Sequence, residues 1–166
     1  LDLHEEPEVL NSFGLFLQQK GLLDRAKEKF ERILTISKDN AGLAAAYCNL
    51  GVIYKTCGDL NKAEEMHHKA LAINIELGRK EGMASNYGNL GIIYQTRGDL
   101  DKAEEMYNKA LEIERELGRK EGIASAYGQL GIVFQIRGNL KEAEEMQKKA
   151  LAMNMELNRK KGIANA

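Results

Sequence analysis

A block of forty residues, Glu81–Lys120, recurs in similar form immediately before and immediately after itself in this chain. The preceding block, Ala41–Lys80, is identical to it at 26 of 40 positions, and the following block, Glu121–Lys160, at 24 of 40. Self-similarity at a fixed period of this size is typical of proteins built from stacked supersecondary units, in which each unit contacts only its neighbours. The repetition therefore restricts the possible folds more than any local motif does.

Each block predicts two amphipathic helices. In the central block, apolar residues recur at three- and four-residue steps before Gly98 and again after it, which places them on one face of each helix. Gly98 falls where the first helix has to end, because glycine adopts the left-handed conformation without strain. Asp99 then suits the N-cap of the second helix. By the same argument, Gly78 and Gly118 end the second helices, with Asn158 as a tolerated substitute.

The same reading extends to the degenerate start of the chain. Gly14 and Gly51 are 37 residues apart, whereas Gly51, Gly91 and Gly131 follow one another at intervals of 40, so the first unit has a shorter second helix. No β pattern interrupts the series. The predicted helices span roughly 8–20, 23–38, 42–57, 60–77, 82–97, 100–117, 122–137 and 140–157.

The fixed positions of the central block resemble the tetratricopeptide repeat, a helix–turn–helix unit. The residues that carry this resemblance are Tyr87, Leu90, Gly91, Tyr94, Gly98, Ala103, Tyr107 and Ala110. The pattern recurs in register in four copies that cover nearly the whole chain. The forty-residue unit is longer than the usual 34, and it is similar to the repeats of kinesin light chains, of LGN/Pins polarity adaptors and of many prokaryotic proteins.

The resemblance implies an all-α fold, a right-handed α-solenoid of antiparallel helix pairs with about four repeats plus the start of a fifth. We place the repeats at about 7–40, 41–80, 81–120 and 121–160 of a single array. Residues 161–166 read KGIANA and restart the pattern of the next unit. We therefore expect the chain to be a fragment of a longer protein.

Composition excludes several classes of function. The net charge of −1 argues against nucleic acid or an anionic membrane as the main ligand, because both require a strongly basic surface. No run of 18 apolar residues is present, so we expect no membrane insertion. Cys48 and Cys57 are nine residues apart and point to opposite sides of one helix, which prevents a disulfide between them. Reduced thiols predict a cytoplasmic protein.

No residue constellation predicts catalysis, a cofactor or a metal. The Glu-Glu pairs recur in every repeat, as at Glu104-Glu105, and a unique active site would not be triplicated. They suit a solvated face, about four residues before a lysine. His67 and His68 are adjacent, so a helix points them about 100° apart and they do not share a metal. We expect His67 to replace a core aromatic, with a looser contact there, as at Gln147.

The resemblance also implies where a ligand would bind, because the first helices line the concave face of such arrays. An amide recurs there at the same register, and Asn49 and Asn89 match the asparagine ladder of kinesin light chains and LGN/Pins, with Gln129 one methylene longer. An alternative is that these amides bond only local backbone or water. The remaining predicted groove residues are an apolar stripe of Val52, Ile92 and Ile132, polar contacts from Lys55, Gln95 and Gln135, and Ser85 and Ser125.

These observations predict a protein-interaction scaffold that binds an extended or helical peptide segment of a protein partner in its concave groove. In chaperone-cofactor repeats a C-terminal carboxylate is captured by lysine and arginine, whereas here those positions hold Ser85, Ser125 and Gln129. One alternative is self-association into a homo-oligomer through uncapped repeat ends. Another is a regulatory or sensor arm of a larger enzyme or transcription regulator. A basic strip along the Arg-Lys turns is a third.

Overall fold

The computed structural model describes residues 6–164, and side chains as far as Asn158. All regular structure in this part of the chain is helical. The helices are α1 Pro7–Gln19, α2 Leu23–Ile36, α3 Asn40–Thr56, α4 Leu60–Glu76, α5 Lys80–Arg97, α6 Leu100–Glu116, α7 Lys120–Arg137 and α8 Leu140–Ala164. The all-α prediction is confirmed, and the first seven helices begin and end within two residues of their predicted limits.

Glycine ends the first helix of each pair, as the sequence predicts. Gly98 has a φ of 82° and Gly138 a φ of 83°, and every described residue with a φ in this left-handed region is a glycine. The prediction that Asn158 ends the last helix is wrong, because α8 continues through it to Ala164. Asparagine carries a Cβ that strains the left-handed conformation, whereas a continued helix keeps its carbonyl groups bonded. The assignment of 161–166 to a further repeat stays a prediction.

Aspartate begins the second helix of the middle pairs. Asp59 accepts a hydrogen bond from the backbone N–H of Lys62 at 3.1 Å, and Asp99 one from Lys102 at 3.3 Å. The Lys102 side chain and then its N–H hold the pKa of the Asp99 carboxyl below its ordinary value. Both caps therefore satisfy a helix-end donor that would otherwise lack an intrahelical partner.

The chain divides into two compact units, one ending at Gly82 and the other beginning at Met83. In the first unit, α1 pairs with α2 and α3 with α4, and α2 also packs on α3. In the second unit, α7 pairs with α8 and contacts α6. The core of the first unit contains Leu10, Leu17, Ala26, Phe30, Ile33, Ala46, Leu50 and Ile53.

In each helix pair, one large side chain of the second helix packs against a glycine of the first helix. A Cβ added to Gly91 would come within 2.5 Å of the Tyr107 ring, so the ring occupies the space that glycine leaves. The four glycine–side-chain pairs are Gly14–Phe30, Gly51–His67, Gly91–Tyr107 and Gly131–Gln147. What approaches the glycine closely is therefore a side chain of the second helix.

Two of these pairs were predicted to be looser, and the structure separates them. His67 is fully buried, and a Cβ at Gly51 would lie 2.7 Å from its Nε2 atom, so the prediction is wrong there. An imidazole ring fills the same space as a phenyl ring. Gln147 is exposed, and its Cγ atom would lie 3.1 Å from a Cβ at Gly131. The contact is looser only where a flexible side chain replaces a ring.

The outer face of the second helices carries the same ion pair in each of the last three repeats. Lys69, Lys109 and Lys149 each lie 2.6 Å from the glutamate four residues earlier. Each ammonium group also lies 5.6 Å from the centroid of a tyrosine ring on the first helix. These glutamates are exposed and pair with lysine in three successive repeats, which is the behaviour predicted for a solvated face.

Candidate functional site

Five of the eleven residues predicted to line a groove surround one pocket in the second unit. Ser85, Asn89 and Ile92 of α5 and Ser125 and Gln129 of α7 line a cavity of about 210 Å³. The first three follow one another at helical steps of four and three, and the last two are four apart, so each set occupies one helix face. We call this cavity the second-unit pocket.

The second helix of the pair, α6, contributes Tyr107, Ala110 and Glu114 to the second-unit pocket. Tyr107 is 1% exposed, and its hydroxyl donates a hydrogen bond to Gln95 Oε1 at 2.9 Å. Burial raises the pKa of this hydroxyl well above its ordinary value. Gln95 was predicted to offer its amide to a ligand, and in the structure that amide holds the buried tyrosine.

Glu114 is the least expected residue of the second-unit pocket. It is only 8% exposed, and a Cβ added to Gly122 would lie 2.1 Å from its carboxyl carbon. Arg119 Nε lies 3.3 Å from Glu114 Oε2, an ion pair without the geometry of a hydrogen bond. Within residues 6–158 this oxygen accepts no hydrogen bond. The sequence did contain a signal, because Glu114 continues the buried steps of Tyr107 and Ala110.

The predicted amides make different hydrogen bonds in the two units. In the second unit, Asn89 Nδ2 donates to the backbone carbonyl of Ser85 at 3.0 Å. In the first unit, Asn49 Nδ2 donates to Asn11 Oδ1 at the same distance of 3.0 Å. The bond of Asn89 is of the local backbone kind that the alternative interpretation expects, whereas the bond of Asn49 joins side chains of two helices. Both bonds also fix the orientation of the amide group.

The other predicted residues lie apart from the second-unit pocket. Val52 and Lys55 are half-buried in the first unit, and burial lowers the pKa of the Lys55 ammonium group. In the second unit, Ile132 is 40% exposed and Gln135 is also exposed. The structure therefore brings together the amide and serine positions of α5 and α7 with Ile92 of α5, and leaves the remaining positions outside this cavity.

A second cavity, of about 550 Å³, occupies the same register in the first unit. We call it the first-unit pocket. It contains none of the predicted residues. Around it lie Glu6, Pro7, Glu8 and Asn11, the end of α2 with Ile33, Ile36, Ser37, Lys38 and Asp39, and Gly42 and Ala45 of α3.

The arrangement offers little for metal or membrane chemistry. Among the residues whose side chains are described, no group of three His, Cys, Asp or Glu side chains could hold a metal ion. In the part of the chain searched, no helix is long and apolar enough to span a membrane. His68 is exposed, with Nε2 3.8 Å from Glu64 Oε1.

The basic turns are partly engaged within the protein. Arg119 contacts Glu114, and Lys120 Nζ lies 2.5 Å from Glu156 Oε1. Arg79 Nη1 is 3.5 Å from the carbonyl oxygen of Ala41. The side chains of the third turn, 159–161, lie outside the described residues. In the described turns the arginine and lysine side chains therefore contribute to packing and ion pairs.

The chain repeats one helix pair, in which a side chain of the second helix packs on a glycine of the first, and this makes it a helical repeat protein. The sequence profile of the tetratricopeptide repeat matches the chain over residues 5–76, 42–116 and 82–156, and the chain belongs to this family. Proteins of the family generally are non-enzymatic scaffolds that mediate protein–protein interactions. No match was found among curated proteins.

Solved structures agree with this assignment. BtubC (BKLC) from P. vanneervenii has a TM-score of 0.82 and 26% identity over 92% of this chain, which spans 66% of that protein. MamA has a TM-score of 0.74 and 26% identity, with 93% of this chain and 82% of MamA covered. A putative kinesin light chain of Podospora anserina, with nearly identical TPR-like repeats, has a TM-score of 0.70 and 22% identity, with 93% and 79% covered. At 22% identity, the similarity to the kinesin light chain is evidence for the fold only.

Proposed function

We propose that the chain is a protein-interaction scaffold that binds an extended or helical segment of a partner protein along the first helices of its repeats. The observation that carries the proposal is the second-unit pocket, where five residues chosen from sequence register line a single cavity. A cavity with a few convergent polar groups and apolar walls is the usual form of a recognition site. The general scaffolding role of the family supports the same conclusion.

The residues of the second-unit pocket fit a peptide better than a small polar metabolite. Ile92 is half-buried and provides an apolar surface beside the amides of Asn89 and Gln129. Amides carry both donors and acceptors, so they can pair with a peptide backbone irrespective of its sequence. An apolar contact beside a backbone reader would then select one class of side chain.

Selection from a random peptide library with the full chain tests the proposal directly. Asn89→Ala and Ile92→Ser should each weaken binding of the selected peptides at least about fivefold, because truncation of a central contact costs more than about 1 kcal/mol. Asn108→Ala, an asparagine exposed on the outer face of α6, is the matched control and should change affinity less than about twofold. Circular dichroism would establish that all variants remain helical.

The reverse pattern would reject the proposal. Peptides that bind Asn89→Ala and Ile92→Ser as tightly as the wild type, but bind Asn108→Ala more weakly, would indicate recognition on the outer face. A library that yields no peptide dependent on α5 would also reject it.

Self-association is a second candidate, and one observation favours it. Leu151 of α8 is 60% exposed, whereas Leu71 and Leu111, at the same register of the preceding repeats, are 7% and 6% exposed. Met155 on the same helix is 64% exposed. An apolar face of this kind suits a contact with a second copy of the chain. Sedimentation should then show a dimer that Leu151→Glu dissociates, and a monomer at high concentration would exclude this role.

We also propose a cytoplasmic location. Cys57 is an exposed cysteine outside any disulfide, which suits a reducing compartment. Cell fractionation would test this, and recovery in an oxidising compartment would reject it.

A further inference from the structure

We propose that the second-unit pocket binds a lysine or arginine side chain of the partner segment, with Glu114 as its counter-charge. This inference rests on the proposed function and adds the chemical feature that the segment must carry. It concerns Glu114, a residue of the second helix that the groove prediction did not include.

Charge is the first argument. Among the described residues that line the second-unit pocket, Glu114 alone carries a formal charge, and it is 8% exposed. A buried carboxylate is stable only when it is paired and hydrogen-bonded. Arg119 pairs with Oε2 at 3.3 Å without a hydrogen bond, and its own side chain is 46% exposed. A carboxylate can accept several hydrogen bonds, so Glu114 has acceptor capacity left for a second cation.

The walls of the second-unit pocket suit the rest of a long basic side chain. Ala84, Ala110 and Ala126 are buried and small, and they offer an apolar surface to an aliphatic stem. The hydroxyl groups of Ser85 and Ser125 also line the cavity and can accept hydrogen bonds from an ammonium or guanidinium group. The cavity therefore combines an apolar approach with acceptors and one negative charge.

Gly88 indicates close approach of a ligand from the α5 side. It lies inside α5 and lines the second-unit pocket, yet a Cβ added there would meet no described atom within 4 Å. Glycine inside a helix is unfavourable compared with alanine, and here no internal packing requires it. The missing side chain keeps the α5 backbone accessible to a peptide main chain.

The repeats also show that the charge belongs to one repeat only. Ser37 and Asn74 occupy the register of Glu114 in the first unit, and each lies against a glycine, Gly42 and Gly82 respectively. A Cβ at Gly82 would lie 2.4 Å from the Asn74 amide oxygen, so the arrangement is the same. The repeats thus share the space against the glycine, and of Ser37, Asn74 and Glu114 only Glu114 carries a negative charge.

A paired peptide selection tests this inference. The full chain should enrich a lysine or arginine at one position of a random peptide library, and Glu114→Gln should abolish that enrichment. The selected peptide should bind Glu114→Gln about tenfold more weakly or worse, because the loss of one partner leaves the other charge unpaired. Glu112→Gln, an exposed glutamate of the same helix, is the matched control and should stay within about twofold.

A double-mutant cycle isolates the contact from effects on folding. Replacement of the selected basic residue by norleucine should weaken binding about tenfold in the wild type and leave binding to Glu114→Gln nearly unchanged. Additive losses would overturn the assignment of Glu114. Peptides that need Asn89 and Ile92 but show no basic preference would also overturn it while the proposed function stands.

Arg119→Gln supplies an independent test. If Glu114 receives a ligand cation, removal of its internal partner should retain or strengthen binding of the basic peptide. If Glu114 serves only the ion pair with Arg119, both variants should lower the melting temperature alike and leave the preference for a basic peptide unchanged. That second result would overturn the inference. Peptides that depend on neither α5 nor α7 would instead reject the proposed function.

Discussion

The pockets of the two units occupy equivalent places in the repeat and differ in what they present. The first-unit pocket, of about 550 Å³, has Ile33, Ile36 and Ser37 at the end of α2. The second-unit pocket, of about 210 Å³, has Tyr107, Ala110 and Glu114 on α6. Ser37 and Glu114 occupy equivalent positions, and the shorter serine leaves open a space that the glutamate fills. Both units keep a space against a glycine, and the residue in that space is a neutral serine in the first unit and a glutamate in the second.

The same comparison extends to the ring that fits each helix pair. Phe30 lies on Gly14 in the first unit as Tyr107 lies on Gly91 in the second. Tyr107 donates its hydroxyl proton to Gln95, whereas Gln18, the equivalent glutamine, keeps a buried Oε1 atom that accepts no hydrogen bond from the described residues. The packing framework is therefore common to both units, and its polar contacts are not.

The largest expected effect tests the common framework. Gly91→Leu and Gly14→Leu should each lower the free energy of unfolding by about 3 kcal/mol, because the added atoms overlap a buried ring. The Cβ alone would lie within 2.5 Å of Tyr107 and within 2.7 Å of Phe30. Denaturant titration measures both. Gly131→Ala, opposite the exposed Gln147, should cost less than about 1 kcal/mol, and an equal loss there would contradict the packing argument.

An exchange of the two rings tests the difference in polar contacts. Tyr107→Phe should destabilise the chain by about 1 kcal/mol, because Gln95 loses its hydrogen bond. Phe30→Tyr should stabilise it by about the same amount, because the new hydroxyl can donate to Gln18 Oε1. Thermal unfolding of both variants gives the signs, and two changes of the same sign would contradict the comparison.

The stability of the wild type and of Tyr107→Phe at alkaline pH provides a second test of the Tyr107 hydroxyl. Burial raises the pKa of Tyr107 above its ordinary value of 10.0. Its stabilising contribution is complete below that value and is lost as pH rises above it, by at most about 1.4 kcal/mol per pH unit, because the unfolded chain releases the proton first. Tyr107→Phe should lack this loss. If the free energy of unfolding falls equally in the wild type and in Tyr107→Phe above pH 10, a group other than Tyr107 is responsible for the loss.

Replacement of Gly122 or Gly42 by alanine tests whether the Glu114 carboxylate is fixed against its glycine. Gly122→Ala should expel the Glu114 carboxylate, which would lie 2.1 Å from the new Cβ, and cost about 1 kcal/mol with loss of basic-peptide binding. Gly42→Ala meets Ser37 Oγ at 3.2 Å and should be nearly neutral. Melting temperatures and peptide affinity distinguish the two. Equal effects at both glycines would mean that Glu114 is not fixed in place.

The smallest expected effect separates stability from binding. Gly88→Ala should raise the free energy of unfolding by about 0.5–1 kcal/mol, because alanine favours the helix and meets no neighbour. The same change should weaken peptide binding by crowding the α5 surface. Gly128→Ala, also without a neighbour within 4 Å and outside the second-unit pocket, should stabilise equally and leave affinity unchanged. Improved binding by Gly88→Ala would contradict the close approach of a ligand.

The sequence was sufficient for the helices because their limits depend on local chemistry. Gly98 and Asp99 end one helix and begin the next through their own backbone and side-chain properties. Asn158 failed as a predictor because asparagine permits the left-handed conformation without requiring it. The helix faces of the pocket were equally predictable, since Ser85, Asn89 and Ile92 follow helical steps.

The register on the second helix indicates that Glu114 and His67 face inward, but the sequence does not show which contacts accommodate them. A glutamate on a second helix suits solvent as well as the interior, and Glu114 is buried because Gly122, on another helix, leaves space for its carboxylate. His67 is buried because Gly51 does the same. In both cases the space for the side chain comes from a glycine on another helix, and local periodicity does not reveal that contact.

The hydroxyl of Tyr107 has an optical consequence. The chain contains no tryptophan and six tyrosines, so its near-ultraviolet emission comes from tyrosine. Tyr107 is 1% exposed, hydrogen-bonded to Gln95 and part of the second-unit pocket. A ligand that enters this cavity changes the surroundings of that chromophore. The protein therefore carries an intrinsic reporter of pocket occupancy, readable by difference absorption without a label.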